Sequence, residues 1–186
     1  MLPGIYSTFQ HWGDNGAVWI YSDPHFSDEE LSKGIKGRPS DEEQIKLINS
    51  KVGRKDTLIV LGDVGNVEWV KKLRARYKIL IMGNHDAGAS NYRRMEENRL
   101  FDEVYEGPLV VGEKLILSHE PIETPFMFNI HGHEHKARKR PNHLNVCSDV
   151  INYTPVNLNQ LLKSGLTSKV TSIHRATINT AVARKK

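Results

Sequence analysis

Five short groups of His, Asp and Asn residues recur along the chain. They are Asp23-Pro24-His25, Gly62-Asp63, Gly83-Asn84-His85-Asp86, Ser118-His119 and Gly132-His133-Glu134-His135. Imidazole nitrogens with carboxylate or amide oxygens suit Mn, Fe, Zn or Ni better than Ca or Mg alone. Asp23, His25, Asp63, Asn84, His119, His133 and His135 are too many donors for one ordinary ion. They are about right for two ions that share a carboxylate. A carboxylate has two oxygens, so Asp63 is the natural bridge. Two metals held roughly 3.5–4 Å apart are the usual apparatus for in-line displacement at phosphate esters. His85 is not needed to complete either ligand set. A His at that place is suited to protonating a departing oxygen or to stabilising charge on phosphate.

One such group alone would read as a capped turn. Their joint occurrence, each just after a run that reads as a buried strand, points to one shared site. The runs are AVWIYS (17–22), TLIVL (57–61), KILIM (78–82), residues 114–117 and residues 128–130. TLIVL is apolar throughout, as expected for a strand covered on both faces. Helices are predicted over residues 40–52, where Ser40 and Glu43 have capping-box spacing, and over 66–77 and 90–99. Asp14-Asn15-Gly16 is a turn signal that predicts a hairpin partner within residues 5–12. Residues 26–38 read as a loop and 101–111 as irregular or edge strand. Residues 144–146 and 154–156 complete the sheets, and Asn157 is placed to cap a short helix through residue 163. The early β-α-β-α-β order predicts parallel strands with ligands at their carboxyl ends. In an extended segment i and i+2 share a side, which would aim Asp23 with His25 and His133 with His135 at one ion.

The 186 residues predict one domain over 1–164, with 165–186 a polar, basic tail or a late strand at 169–173. No apolar run approaches the ~20 residues that span a bilayer, so no membrane partner is expected. No signal peptide is visible, and the single cysteine, Cys147, cannot form an internal disulfide, so the default compartment is the cytoplasm. Cys147 reads as a small buried apolar residue. The net charge of +4 favours anionic partners. Lys136-Ala137-Arg138-Lys139-Arg140 follows the last His group and would form a positive rim or a solvated loop. Arg38 offers a fork that suits two phosphate oxygens and is a candidate substrate ligand. His131 reads as structural; His11, His143 and His174 carry no assigned role.

The groups together resemble the calcineurin-like metallophosphoesterase superfamily. Its pattern is D-x-H, G-D, G-N-H-[DE], a lone His and G-H-x-H, all present here in order from Asp23 to His135. Closer similarity is to small bacterial and phage phosphoesterases of this kind. It lies in Phe26, Arg38-Pro39, Ser118-His119-Glu120-Pro121, His131 to His135 and the N-V-x-x-D-x-x-x-Y-x-P run from Asn145 to Pro155. The resemblance implies an α/β fold, a four-layer α-β-β-α sandwich of two mixed sheets flanked by helices. It implies one ion on Asp23, His25, Asp63 and His135 and another on Asp63, Asn84, His119 and His133. The expected pair is divalent, Mn first, with Fe, Zn or Ni also compatible. Attack by a metal-bridging hydroxide, with His85 assisting the leaving group, is the implied chemistry. Many relatives carry an Asp three residues after the bridging one, where it orients the catalytic His; here that position is Asn66.

The leading expectation is a phosphodiesterase acting on a phosphate ester, with nucleotides or cyclic nucleotides among the candidates. A phosphomonoesterase for small metabolites is the alternative. A non-catalytic scaffold of this fold is disfavoured by an intact His85. A nucleic-acid-binding role without turnover is disfavoured by the complete ligand set. Oligomeric state is not legible from the sequence.

Overall fold

The computed structural model describes residues 1–88, 95 and 97–173. The chain opens on a 3-10 helix, Ser7–Gly13, followed by β1 (Val18–Tyr21), α1 (Glu29–Gly34), α2 (Asp41–Lys51) and β2 (Thr57–Val60). A second 3-10 helix, Val67–Lys72, leads to β3 (Tyr77–Ile81). Then come β4 (Glu103–Tyr105), β5 (Leu109–Gly112), β6 (Leu115–Leu117), β7 (Phe128–His131), β8 (His143–Asn145), β9 (Val156–Asn157) and α3 (Leu158–Lys163).

Two sheets result. The first has the order β4-β3-β2-β1-β9, with β1 to β4 parallel and β9 antiparallel on the β1 edge. The second has the order β5-β6-β7-β8, with β5 antiparallel to β6 and the rest parallel. These are the two mixed sheets expected of the α/β fold.

Period-two alternation explains how the sheets stack. Val18, Ile20, Ile59, Ile79 and Ile81 of the first sheet meet Leu115, Leu117 and Ile130 of the second in one core. Tyr21, Leu58, Val60 and Leu80 face the other way, onto Ile45 and Ile48 of α2 and Val67 and Val70 of the second 3-10 helix. The first sheet is therefore apolar on both faces. α2 begins with the predicted capping box, Ser40 and Glu43 each satisfying the other's backbone N–H. The outer face of the second sheet carries Asn129, His131 and His143, and the 120–127 loop reaches it through Ile122 and Glu123.

Several local expectations are corrected. In place of a hairpin strand over 5–12, Ile5 makes a single antiparallel bridge to Gly112 and Ser7–Gly13 forms a 3-10 helix, whose Phe9 and Trp12 at i, i+3 are both buried in the inter-sheet core. Glu103 on the edge strand β4 fixes this helix. Its carboxylate accepts from His11 Nε2 (2.5 Å), Trp12 Nε1 (3.1 Å), Tyr105 OH (2.6 Å) and Tyr77 OH (2.8 Å). Burial alone would raise the pKa of Glu103, but these donors hold it below the usual carboxylate value. The predicted loop 26–38 contains α1, capped by the Asp28 side chain on Leu31 N. The helix expected over 66–77 is the shorter 3-10 turn, with Asn66 as its cap. Most of the helix expected over 90–99 lies outside the described residues. Within 165–173 there is no strand; Val170 and Ser172 are buried and Leu166 packs on the inter-sheet core. Among the described residues, no helix is long and apolar enough to cross a membrane.

Candidate metal centre

The five donor groups lie in loops at the carboxyl ends of parallel strands. Asp23 and His25 follow β1, Asp63 follows β2, and Asn84 and His85 follow β3. His119 follows β6, and His133 and His135 follow β7. Parallel pairing with matched registers, Tyr21 beside Val60 and Val60 beside Leu80, brings the first three loops to one edge. Ile130 lies beside Leu117 in the second sheet, which does the same for the last two.

The donors converge by a route that differs from extended i, i+2 geometry. Asp23, His25, Asp63 and His133 all have left-handed backbone, with φ of 56°, 43°, 53° and 65°. Such conformations cost of order 1–3 kcal/mol each and persist only where the surroundings impose them. Here cross-loop hydrogen bonds do so: Asp23 N donates to Gly62 O (3.1 Å) and His25 N to Asp63 O (3.0 Å). Two glycines make the close approach feasible. Gly62 has φ +82°, and a Cβ on Gly132 would overlap Ser22 Oγ and the Asp23 carboxylate.

Asp63 Oδ2 is the focus. It lies 3.3 Å from His119 Nε2, 3.5 Å from His25 Nε2 and 4.0 Å from His85 Nε2. His119 Nε2 is also 2.9 Å from Asn84 Oδ1 and 3.1 Å from His133 Nδ1. Donor atoms of Asp23, His25 and Asp63 lie within 4.8 Å of one another, as do those of Asp63, His119 and His133. Asp23, His135 and Cys147 form a third such group. His25 Nε2 is buried and has no hydrogen-bond partner, although it points at two carboxylates. A buried polar atom of that kind costs free energy, and a shared cation would satisfy it. On three of the histidines the second ring nitrogen faces an oxygen. His119 Nδ1 donates to Leu61 O (2.8 Å), His135 Nδ1 to Asp149 (2.6 Å), and His25 Nδ1 is 3.5 Å from Asp28. Metal-ligating histidines characteristically anchor their second nitrogen in this way. The donor set therefore fits divalent metal.

The sequence profile of the calcineurin-like phosphoesterases matches residues 16–176. The chain belongs to that family. It is 29% identical over 171 residues to the uncharacterized protein MJ1445 of Methanocaldococcus jannaschii, covering 78% of this chain and 89% of that one. The crystal structure of the protein of unknown function AQ665 from Aquifex aeolicus superposes with a TM-score of 0.63 at 23% identity. It covers 80% of this chain and 98% of that chain, and shows a shared fold. Family membership and the donor groups together support a metal-dependent phosphoesterase.

Behind the donors of this calcineurin-like phosphoesterase lies a layer of buried charge. The reading of Arg38 as a substrate ligand gives way here to a positioning role. Its side chain is 0% exposed and pairs with Asp149 at 2.6 Å. Its second amino group donates to Pro24 O (2.6 Å) and Asp23 O (3.3 Å), and its guanidinium carbon lies 5.6 Å from the centre of the Tyr153 ring. A fully buried guanidinium held by four acceptors has no face for phosphate. Tyr153 OH also donates to Asp149, and Asp149 accepts from His135. Asp149 thus joins two ligand loops. Burial would raise its pKa, but His135, Tyr153 and Arg38 pull it below the usual value. The sequence pattern contained Asp149 and Tyr153 in its N-V-x-x-D-x-x-x-Y run, without revealing their partners. Removing such an outer partner typically costs about 10- to 100-fold in metal affinity. Asp149→Asn is expected to weaken Mn²⁺ binding in calorimetric titration by that amount, while Cys147→Ala leaves it within about threefold.

Electrostatics separate the histidines. Burial lowers His25 to about 4, so it presents a lone pair at neutral pH. Burial would also lower His119, but the Asp63 hydrogen bond and the Asp23 charge raise it to about 9. Asp63 is correspondingly depressed against its own burial, chiefly by His119. A metal at His119 must displace that proton. Between pH 6 and about 9 the apparent Mn²⁺ affinity is therefore expected to rise by up to tenfold per pH unit. Above that it should level off. Proton release, measured by calorimetry in buffers of different ionisation enthalpy, checks the sign.

His85 stands on the open side of Asp63, with its side chain 65% exposed and its ring 5.5 Å from that of His25. Asn66 caps the 3-10 helix through Glu68 N (3.1 Å) and reaches Ser27 Oγ (3.4 Å). The basic block is partly neutralised. Arg140 pairs with Glu123 (2.6 Å) and Glu134 (2.7 Å), and Arg138 lies 3.5 Å from Glu134. Cys147 is buried 3.6 Å from His135 Nδ1, and burial pushes its thiol pKa far up. His131 is buried, with Nδ1 2.9 Å from Gly132 O, and His143 lies 3.4 Å from Glu123. His174 lies outside the described residues.

Proposed function

We infer that the chain is a dinuclear metal-dependent phosphodiesterase. The reading is carried by the focus at Asp63, which has three imidazoles within 4.0 Å; Asp63 itself lines one cleft and its neighbours Asn84 and His119 line another. One cleft, of about 420 Å³, opens on the Asn84–His119 side, and the other, of about 380 Å³, on the His25–His85 side. A diester needs room for a substituent on each side of phosphorus; a monoester needs one. Asp23, His25, Asp63 and His135 would hold one ion, and Asp63, Asn84, His119 and His133 the other. When bound, the ions would activate water and neutralise phosphate charge. Asp63, common to both sets, would hold both ions, and Arg38 with Asp149 fixes the Asp23 and His135 loops. His85, exposed beside the focus, is placed to give a proton to the departing oxygen.

The test is hydrolysis of bis-p-nitrophenyl phosphate against p-nitrophenyl phosphate by chelator-stripped protein resupplied with Mn²⁺, Ni²⁺, Zn²⁺ or Mg²⁺. Metal-dependent diester cleavage at least about tenfold faster than monoester cleavage is expected. His85→Ala should lower kcat by about 10²- to 10⁴-fold, the range for general acid catalysis. Preference for the monoester would replace the diesterase reading. No turnover by a protein that binds two ions would turn it into a scaffold.

A further inference from the structure

We propose that the cleft on the Asn84–His119 side is a subsite for a flat, amine-bearing heterocycle attached to the phosphate ester, of which a nucleobase is the biological form. This rests on the phosphoesterase reading above and names the substrate class within it. The cleft lies where the chain crosses between sheets, above the ends of β3, β4 and β6. Its volume of about 420 Å³ is within the range of about 300–1,000 Å³ for small-molecule sites. Asn84 and His119 form one wall. A phosphate ester held beside Asn84 and His119 would have the cleft within reach of one substituent.

The lining has two characters. Met82, Pro108, Pro121 and Ile122 present apolar surfaces. Apolar proline rings and a polarisable thioether can pack on the face of an aromatic ring. Glu106 and Glu120 are exposed carboxylates on the same cleft. An ionised carboxylate only accepts hydrogen bonds, so it matches exocyclic amines and ring N–H groups and repels a further phosphate. The opposite cleft, beside α1, lacks such a platform. Its lining is mainly His, Asp and Glu, with Leu31 the one large aliphatic side chain among the described residues.

Hydrogen bonds within the protein shape the walls. Asn129, wholly buried in β7, accepts from Ile122 N (2.8 Å) and donates to Ser118 Oγ (2.9 Å). Ser118 Oγ donates to Glu120 O (2.6 Å), and Met82 N donates to Tyr105 O (2.8 Å). A polar Asn in the middle of a strand is thereby explained: it shapes the 118–122 loop into a wall.

The experiment compares binding of adenosine 5′-monophosphate and ribose 5-phosphate to the Mn²⁺-loaded protein by calorimetry. Covering one face of a base with apolar side chains, at roughly 25 cal/mol per Å² over some tens of Å², predicts adenosine 5′-monophosphate binding about tenfold tighter. Ile122→Asp, which replaces an apolar wall by a charge, should bring the two within about twofold. Glu120→Lys, at an exposed position that tolerates change, should also narrow the ratio. Equal binding of the two ligands by the unmodified protein overturns the proposal. So does a preference that survives both substitutions, or no binding of either ligand at millimolar concentration. Turnover of bis-p-nitrophenyl phosphate is measured beside it. Turnover without the base preference sinks the subsite alone; the preference without turnover sinks the phosphoesterase reading alone.

Discussion

Asp63→Asn should lower kcat/KM for bis-p-nitrophenyl phosphate by about 10³-fold or more, without a matching loss of stability. Asparagine is the informative replacement. It tolerates the left-handed backbone that Asp63 adopts, φ 53°, whereas other side chains pay roughly 1–2 kcal/mol there. It also keeps an oxygen for the His85 N–H, now 3.0 Å from Asp63 Oδ1. What it removes is the negative charge that faces His25, His119 and His85. Charge stabilisation by bound metal is worth several kcal/mol at the transition state, and each ~1.4 kcal/mol is a factor of ten. Metal analysis after gel filtration should show the Mn²⁺ content falling from two per chain to one or less. Retention of both ions with near-normal rate would show that Asp63 does not bridge them.

The strands were legible because they are short, nearly continuous apolar runs. TLIVL and KILIM, apolar on both faces, became β2 and β3 of a doubly covered sheet. The α2 capping box was legible because its geometry is local. α1 buries none of its side chains, so it left no apolar pattern to find. Asp14-Asn15-Gly16 carries a hairpin signal, whereas the first helix is marked only by the Phe9–Trp12 spacing, whose burial depends on the second sheet. At the centre, the donor residues could be picked out by type and order. Their convergence could not, since it depends on left-handed backbone imposed by bonds between separate loops. Arg38 shows the same limit from the other side. A guanidinium next to a donor loop looks like a phosphate ligand until its partner, Asp149, is found 111 residues away in sequence.

Asp86→Ala should be the most destabilising change near the centre, although Asp86 sits outside both proposed ligand sets. Its side chain is wholly buried. Oδ2 accepts from Asp63 N (2.7 Å) and Gly83 N (2.8 Å), and Oδ1 from Val64 N (2.9 Å). One carboxylate thus ties the loop after β2 to the loop after β3 and holds Asp63 and Asn84 in register. Alanine would strand three buried N–H groups, each costing about 1–3 kcal/mol, so a loss on the order of 4 kcal/mol is expected. That is a large share of the ~5–15 kcal/mol that holds a domain together. Asp86→Asn offers one oxygen in place of two, so it can keep at most two of the three bonds and should fall between. Urea unfolding of the chelator-stripped proteins measures this without interference from metal stabilisation. An Asp86→Ala protein within about 1 kcal/mol of the parent would mean that the two loops are held by the sheet alone. The centre would then be set by its ligands and not by the carboxylate beneath them.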